Sequence, residues 1–157
     1  MEQGEVYCLL IPLADGRLIV PRSCVAEVIG HQTLTQMTGA PPWYLGLANW
    51  NARHVPVISF EGARGQNIPP PTGRSRIVLL HALGMKLEGG IFGIAAQGFP
   101  QLLRLSLDVV RADDAQVYPE RSPILSRVRM LNEAPWIPDM ERLEQMIAEE
   151  TSVLPQR

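Results

Sequence analysis

Short apolar runs broken by glycine, proline and Asp-Gly pairs dominate the chain, and their period is closer to two than to 3.6. Residues Tyr7 to Leu13 predict a strand, Asp15-Gly16 a tight turn with left-handed backbone, and Arg17 to Val20 the returning strand of a hairpin. Val25-Ala26-Glu27-Val28-Ile29 predicts another strand, with Val25 and Glu27 on one face and Ala26 and Val28 on the other. Gly39-Ala40-Pro41-Pro42 is a turn signal leading into Trp43 to Ala48. His54 to Phe60 is strand-like again, and its internal Pro56, which has no N–H for a ladder, predicts an edge strand or a bulge.

From Glu61 to Arg76 the alternation lapses into glycine and proline, which predicts an exposed loop. Strand patterns resume at Arg76 to Ala82, Gly90 to Ala96, Gln101 to Leu107 and Ser126 to Leu131. One helix is predicted, capped by Asp139, with Met140, Leu143 and Ile147 inward and Glu141, Arg142, Glu144 and Gln145 facing water. The tail from Thr151 is expected to fray. Strands that do not alternate with helices argue against a parallel α/β sheet and for small, closed or nearly closed barrels.

Composition narrows the function classes. Hydrophobic residues make up 46% and charged residues 19% of 157, the balance of one globular domain spanning residues 1–157. A net charge of −2 and a pI near 5.9 supply no basic field for nucleic acid or an anionic membrane. No apolar run approaches the roughly 20 residues of a membrane helix. The acidic opening Met1 to Glu5 lacks a signal-peptide layout, so the expected location is cytoplasmic. Cys8 and Cys24 lie in apolar stretches and are expected to be buried free thiols.

Candidate chemistry is thin. His31, His54 and His81 stand at no metal-ligand spacing, and a Cys24–His31 nucleophilic pair lacks an orienting group. Gly89-Gly90-Ile91-Phe92-Gly93 has no Lys-Ser/Thr and precedes a strand, so it predicts a hairpin turn rather than a phosphate loop. Asp113-Asp114 reads as a solvated loop, and Arg121, Arg127 and Arg129 as a modest basic cluster without interleaved aromatics. Neither a metal, a cofactor nor a catalytic residue is expected. Trp50, between Asn49, Asn51 and Arg53, is either core or an interface anchor.

The segment from Pro41 to Ile58 resembles the signature of the CheW-like chemotaxis coupling family: Gly46, Asn49, Pro56, Val57 and Ile58 fall on its pattern, and Gly65 on its later glycine. Val25-Ala26-Glu27-Val28, Phe92 to Gln97 and Trp136-Ile137-Pro138 are similar to flanking family motifs, so the resemblance spans about residues 5 to 147. It implies a mainly β fold: two five-stranded SH3-like β-barrel subdomains sharing a core, dividing near 61–76, with a C-terminal helix. It further implies an adaptor, not an enzyme, coupling methyl-accepting chemoreceptors to a CheA-type histidine kinase. Partner contact would fall on Val25, Glu27, Val28, Gly46, Asn49, Trp50, Asn51, Ala52 and Arg53. Asn51 and Ala52 stand where the family has Arg and Gly, while Ser59 and Gln97 each replace an Asp. These departures suggest a divergent accessory coupling protein resembling the ChpC type of type IV pilus (twitching) systems. A CheW-like regulator with one partner and a small-ligand-binding barrel are the alternatives.

Overall fold

A computed structural model describes residues 5–106, 111–112, 118, 122–130 and 133–153. Two sheets are built from β1 (Glu5–Pro12), β2 (Arg17–Pro21), β3 (Val25–Gly30), β4 (Tyr44–Trp50), β5 (Arg53–Ile58), β6 (Arg76–His81), β7 (Ile91–Ala96), β8 (Gln101–Ser106), β9 (Arg111–Ala112), β10 (Ile124–Arg129) and β11 (Trp136–Pro138). A helical turn, α1 (Phe60–Ala63), follows β5, and the helix α2 (Met140–Val153) follows β11. The five-stranded sheet runs β3-β6-β7-β5-β4, and the other runs β8-β1-β2-β11-β10-β9. The expected five-plus-five is therefore five plus six, the sixth member being the two-residue β9.

Each sheet buries both faces, which explains the continuous apolar runs of β6 and β7. Alternation sends Val78 and Leu80 of β6 into the main core with Ile11, Leu18, Phe60, Phe92 and Trp136. It sends Ile77 and Leu79 into a second cluster with Ala48, Val55 and Val57. A third cluster, Cys8, Leu10 and Ile19 with Leu103, Leu105, Val128 and Met130, lies on the far face of the six-stranded sheet. The main core is thus shared between the sheets, and α2 closes it with fully buried Leu143 and Ile147, each contributing about 1.5–3 kcal/mol by burial. Asp139 caps α2 as expected, its carboxylate accepting from Arg142 N at 3.0 Å.

Several expectations change. The chain passes between sheets at residues 22–24 and 97–100, while 61–76 joins β5 to β6 inside one sheet. The β1–β2 loop spans four residues closed by Leu13 N to Gly16 O at 2.8 Å, and neither Asp15 nor Gly16 has positive φ. Gly16 is required there by space: a Cβ would lie 2.6 Å from the Trp136 ring. A bulge between Val25 and Glu27 resets the faces of β3, so Val25 and Val28 both pack on the main core. β5 is interior rather than an edge; Pro56 is tolerated where pairing with β7 starts at Val57, and the bulge lies across the ladder, between Tyr44 and Gly46 of β4. Phe60 leaves the strand and starts α1, because the Ser59 hydroxyl caps Gly62 N at 3.0 Å.

Two carboxylates expected in solvent are buried. Glu61, 1% exposed, accepts from Ala14 N at 2.9 Å and from the Ser59 hydroxyl at 3.3 Å. Glu144, 2% exposed, accepts from Gly84 N and Lys86 N, both at 2.8 Å. Each staples a loop to the body by satisfying main-chain donors that would otherwise be orphaned. Arg142 is half-buried rather than free in water. The backbone of α2 continues three residues into the expected frayed tail. Asp113, Asp114, Arg121, Leu107, Leu131 and residues 1–4 and 154–157 lie outside the described residues.

Candidate interaction surface

The β4–β5 hairpin ends in a two-residue loop, Asn51-Ala52, with φ of +49° and +59°. Positive φ at both central residues is the type I′ turn, whose twist matches the flanking strands. Asn tolerates this conformation; alanine does so at a cost of about 1–2 kcal/mol, because its Cβ crowds the following carbonyl. The turn pairs Trp50 with Arg53 across the strands.

Around that turn three of the expected residues meet. The Trp50 indole Nε1 donates to Glu27 Oε1 at 3.0 Å. The Arg53 guanidinium carbon lies 5.6 Å from the Trp50 ring centroid, and its Nη1 donates to Gly89 O at 3.4 Å. The half-buried Trp50 packs on the second cluster, in keeping with the core reading of this residue. Glu27, Asn49, Asn51, Ala52 and Arg53 are exposed. Asn49 N donates to Gln32 Oε1 at 2.8 Å and its carbonyl accepts from Gln32 Nε2 at 3.2 Å.

The remaining expected site residues sit elsewhere. Val25 and Val28 are half-buried against the main core. Gly46 is buried at φ +140°, and a Cβ there would stand 2.6 Å from Thr35 O. Its role is close approach: Thr35 and Leu47 exchange N–H···O bonds of 2.9 Å, so residues 31–36 cover the outer edge of β4.

Beside this surface, the β6–β7 loop holds Leu83 and Met85 at 83% and 94% exposure, Met85 with φ +60°. Gly89 and Gly90, at φ +86° and +66°, return the chain, so the glycine run is a hairpin connection as expected. Sequence reasoning missed Glu144 as the anchor of this loop. Its signal was present: Met140, Leu143, Glu144 and Ile147 form an i, i+3, i+4, i+7 face.

The other candidate chemistry disperses. Cys24 and His31 stand at opposite ends of β3, which extends about 20 Å at its usual rise. Burial pushes the Cys8 thiol above its ordinary pKa, holding it protonated. Arg127 is spent on structure, donating to Ala134 O at 2.6 Å and stacking 5.2 Å from the Trp136 centroid. Among the described residues no three His, Cys, Asp or Glu side chains gather to hold a metal, and no helix is long and apolar enough to cross a membrane.

Two sheets with a shared core and a small cluster on each outer face define a mainly β protein of two SH3-like subdomains. The CheW-like domain profile matches residues 7–146, and the chain belongs to that family of chemotaxis coupling scaffolds. The crystal structure of the scaffolding protein TtCheW from Thermoanaerobacter tengcongensis is similar in fold, with a TM-score of 0.78 at 15% identity, covering 97% of this chain and 100% of that one. No curated protein matches the sequence.

Proposed function

We propose that this chain is a divergent adaptor that couples methyl-accepting chemoreceptors to a CheA-type histidine kinase in a chemotaxis or pilus-controlling array. The reading rests on family membership and on one observation: the clustering of Glu27, Trp50 and Arg53 beside the exposed Asn51-Ala52 turn. Such a scaffold needs recognition faces and no reaction, since an array multiplies weak contacts through effective concentration. The indole supplies a large apolar body with a directed N–H, and an adjacent guanidinium adds donors, the residue types favoured at binding hot spots.

The departures from the family pattern support a second reading, a regulator with a single partner. Asn51 carries no charge where the family has a guanidinium, and Glu27 is engaged by a neutral indole. Reconstitution with receptor tips and kinase separates the two: coupling yields a ternary complex, whereas a regulator binds one partner and never bridges both. Within either, Trp50→Ala is expected to weaken the partner by more than about 1 kcal/mol. Trp50→Phe, which keeps the packed ring, isolates the loss of the N–H. Unchanged affinity in both variants removes Trp50 from the interface.

A further inference from the structure

At the opposite end of the five-stranded sheet the second apolar cluster is not capped by a hairpin. A cavity of about 380 Å³ opens there. Leu34, Leu45, Val57, Ile77 and Ala95 line it, and all five belong to or pack on that cluster. Consecutive prolines, Pro69, Pro70 and Pro71, form one wall. Proline has no N–H, so this wall offers an apolar face with acceptors only. The 31–36 strip supplies further lining, pinned to β4 by the Thr35–Leu47 pair and by Gln36 Nε2 donating to Leu45 O at 3.2 Å. The volume falls near the small end of the usual range for ligand sites, about 300–1,000 Å³.

Charge selects the occupant. Arg76 lies on the lining, and no Asp or Glu does. Its Nη1 donates to Ser75 O at 2.8 Å and to Gly73 O at 3.3 Å, which orients the guanidinium. Among the described residues no carboxylate forms a salt bridge with Arg76. An oriented cation without a carboxylate partner, set beside an apolar floor in a small cavity, is complementary to an anion on a compact apolar body. We propose that this cavity binds a small organic acid, a carboxylate carrying a short aliphatic chain. The chain would cover the Val57–Ile77 floor, and the carboxylate would take the remaining Arg76 donors. This site is separate from the Trp50 hairpin, and the proposal stands or falls independently of the coupling function.

Protein-observed NMR titration with hexanoate tests it, with 1-hexanol and acetate as probes of each half of the ligand. Saturable shifts are expected at the amides of Leu34, Ile77 and Ala95 with hexanoate. Hexanol should bind about tenfold more weakly or worse, and acetate should produce no saturable shift there. Arg76→Gln should lower hexanoate affinity to the level of hexanol. Ala95→Leu should block both, with the unfolding midpoint recorded to show that the variant folds; the Arg76→Gln result decides the matter if it does not. Hexanoate that fails to saturate, that shifts other parts of the protein instead, or that binds no better than hexanol in the unaltered protein overturns the proposal.

Discussion

The two ends of the five-stranded sheet are finished in opposite ways. At one end the β4–β5 turn and the β6–β7 loop close over the strands, tied by Trp50–Glu27, Arg53–Gly89 and the buried Glu144. At the other, the covering segments 31–36 and 68–71 stand apart and leave a hollow. The first end exposes Leu83 and Met85 and tolerates positive φ at Ala52 and Met85. The second holds a cavity of about 380 Å³ over an apolar floor. Strain tends to persist where surrounding structure over-determines it, and the Glu144 staple and the closed I′ hairpin do that here.

The contrast can be broken most severely at Gly46. Gly46→Ala would push a Cβ into Thr35 O, lift the 31–36 strip and dismantle the wall of the hollow. A loss of about 2–4 kcal/mol in chemical denaturation is expected, and a change near zero would show that the strip moves aside freely. Next comes Glu144→Ala, which leaves the Gly84 and Lys86 amides without their acceptor. About 2–3 kcal/mol should be lost, with faster hydrogen exchange confined to the β6–β7 loop. Uniformly faster exchange across the sheet would instead make Glu144 a determinant of the whole fold. The smallest effect sharpens the picture in the other direction. Ala52→Gly should stabilise the protein by about 0.5–1 kcal/mol, since glycine adopts the +59° φ freely and only part of that gain is offset by the unfolded chain. No rise in the thermal midpoint would mean that the turn relaxes around alanine.

Strand positions were legible because alternation between faces is local information. Val128 and Met130 against Arg127 and Arg129 took the faces their order implied. What escaped was information held by distant partners. Gly16 looked like a turn glycine, yet the Trp136 ring explains it. Glu61 and Glu144 looked solvated because a carboxylate is usually outside, and only loops brought up from elsewhere in the chain make them interior. The β3 bulge moved Val25 and Val28 to one side, which no period of two anticipates. Of the site, the sequence pointed to Glu27, Trp50 and Arg53, and these meet; it also pointed to Gly46, whose constraint is the backbone of Thr35 above it.

The pairing of β11 with β2, through Trp136 and Leu18, has a consequence for biogenesis. The strands β3 to β7 are contiguous in the chain and can zip together while translation continues. The six-stranded sheet cannot: its first two strands must wait for β8 to β11, held apart by the entire intervening unit, before the circuit closes. A ribosome stalled shortly before Pro135 would therefore have made β1, β2 and β8 but not β11, leaving the β2 edge unpaired and the shared core without Trp136 and the helix that closes it.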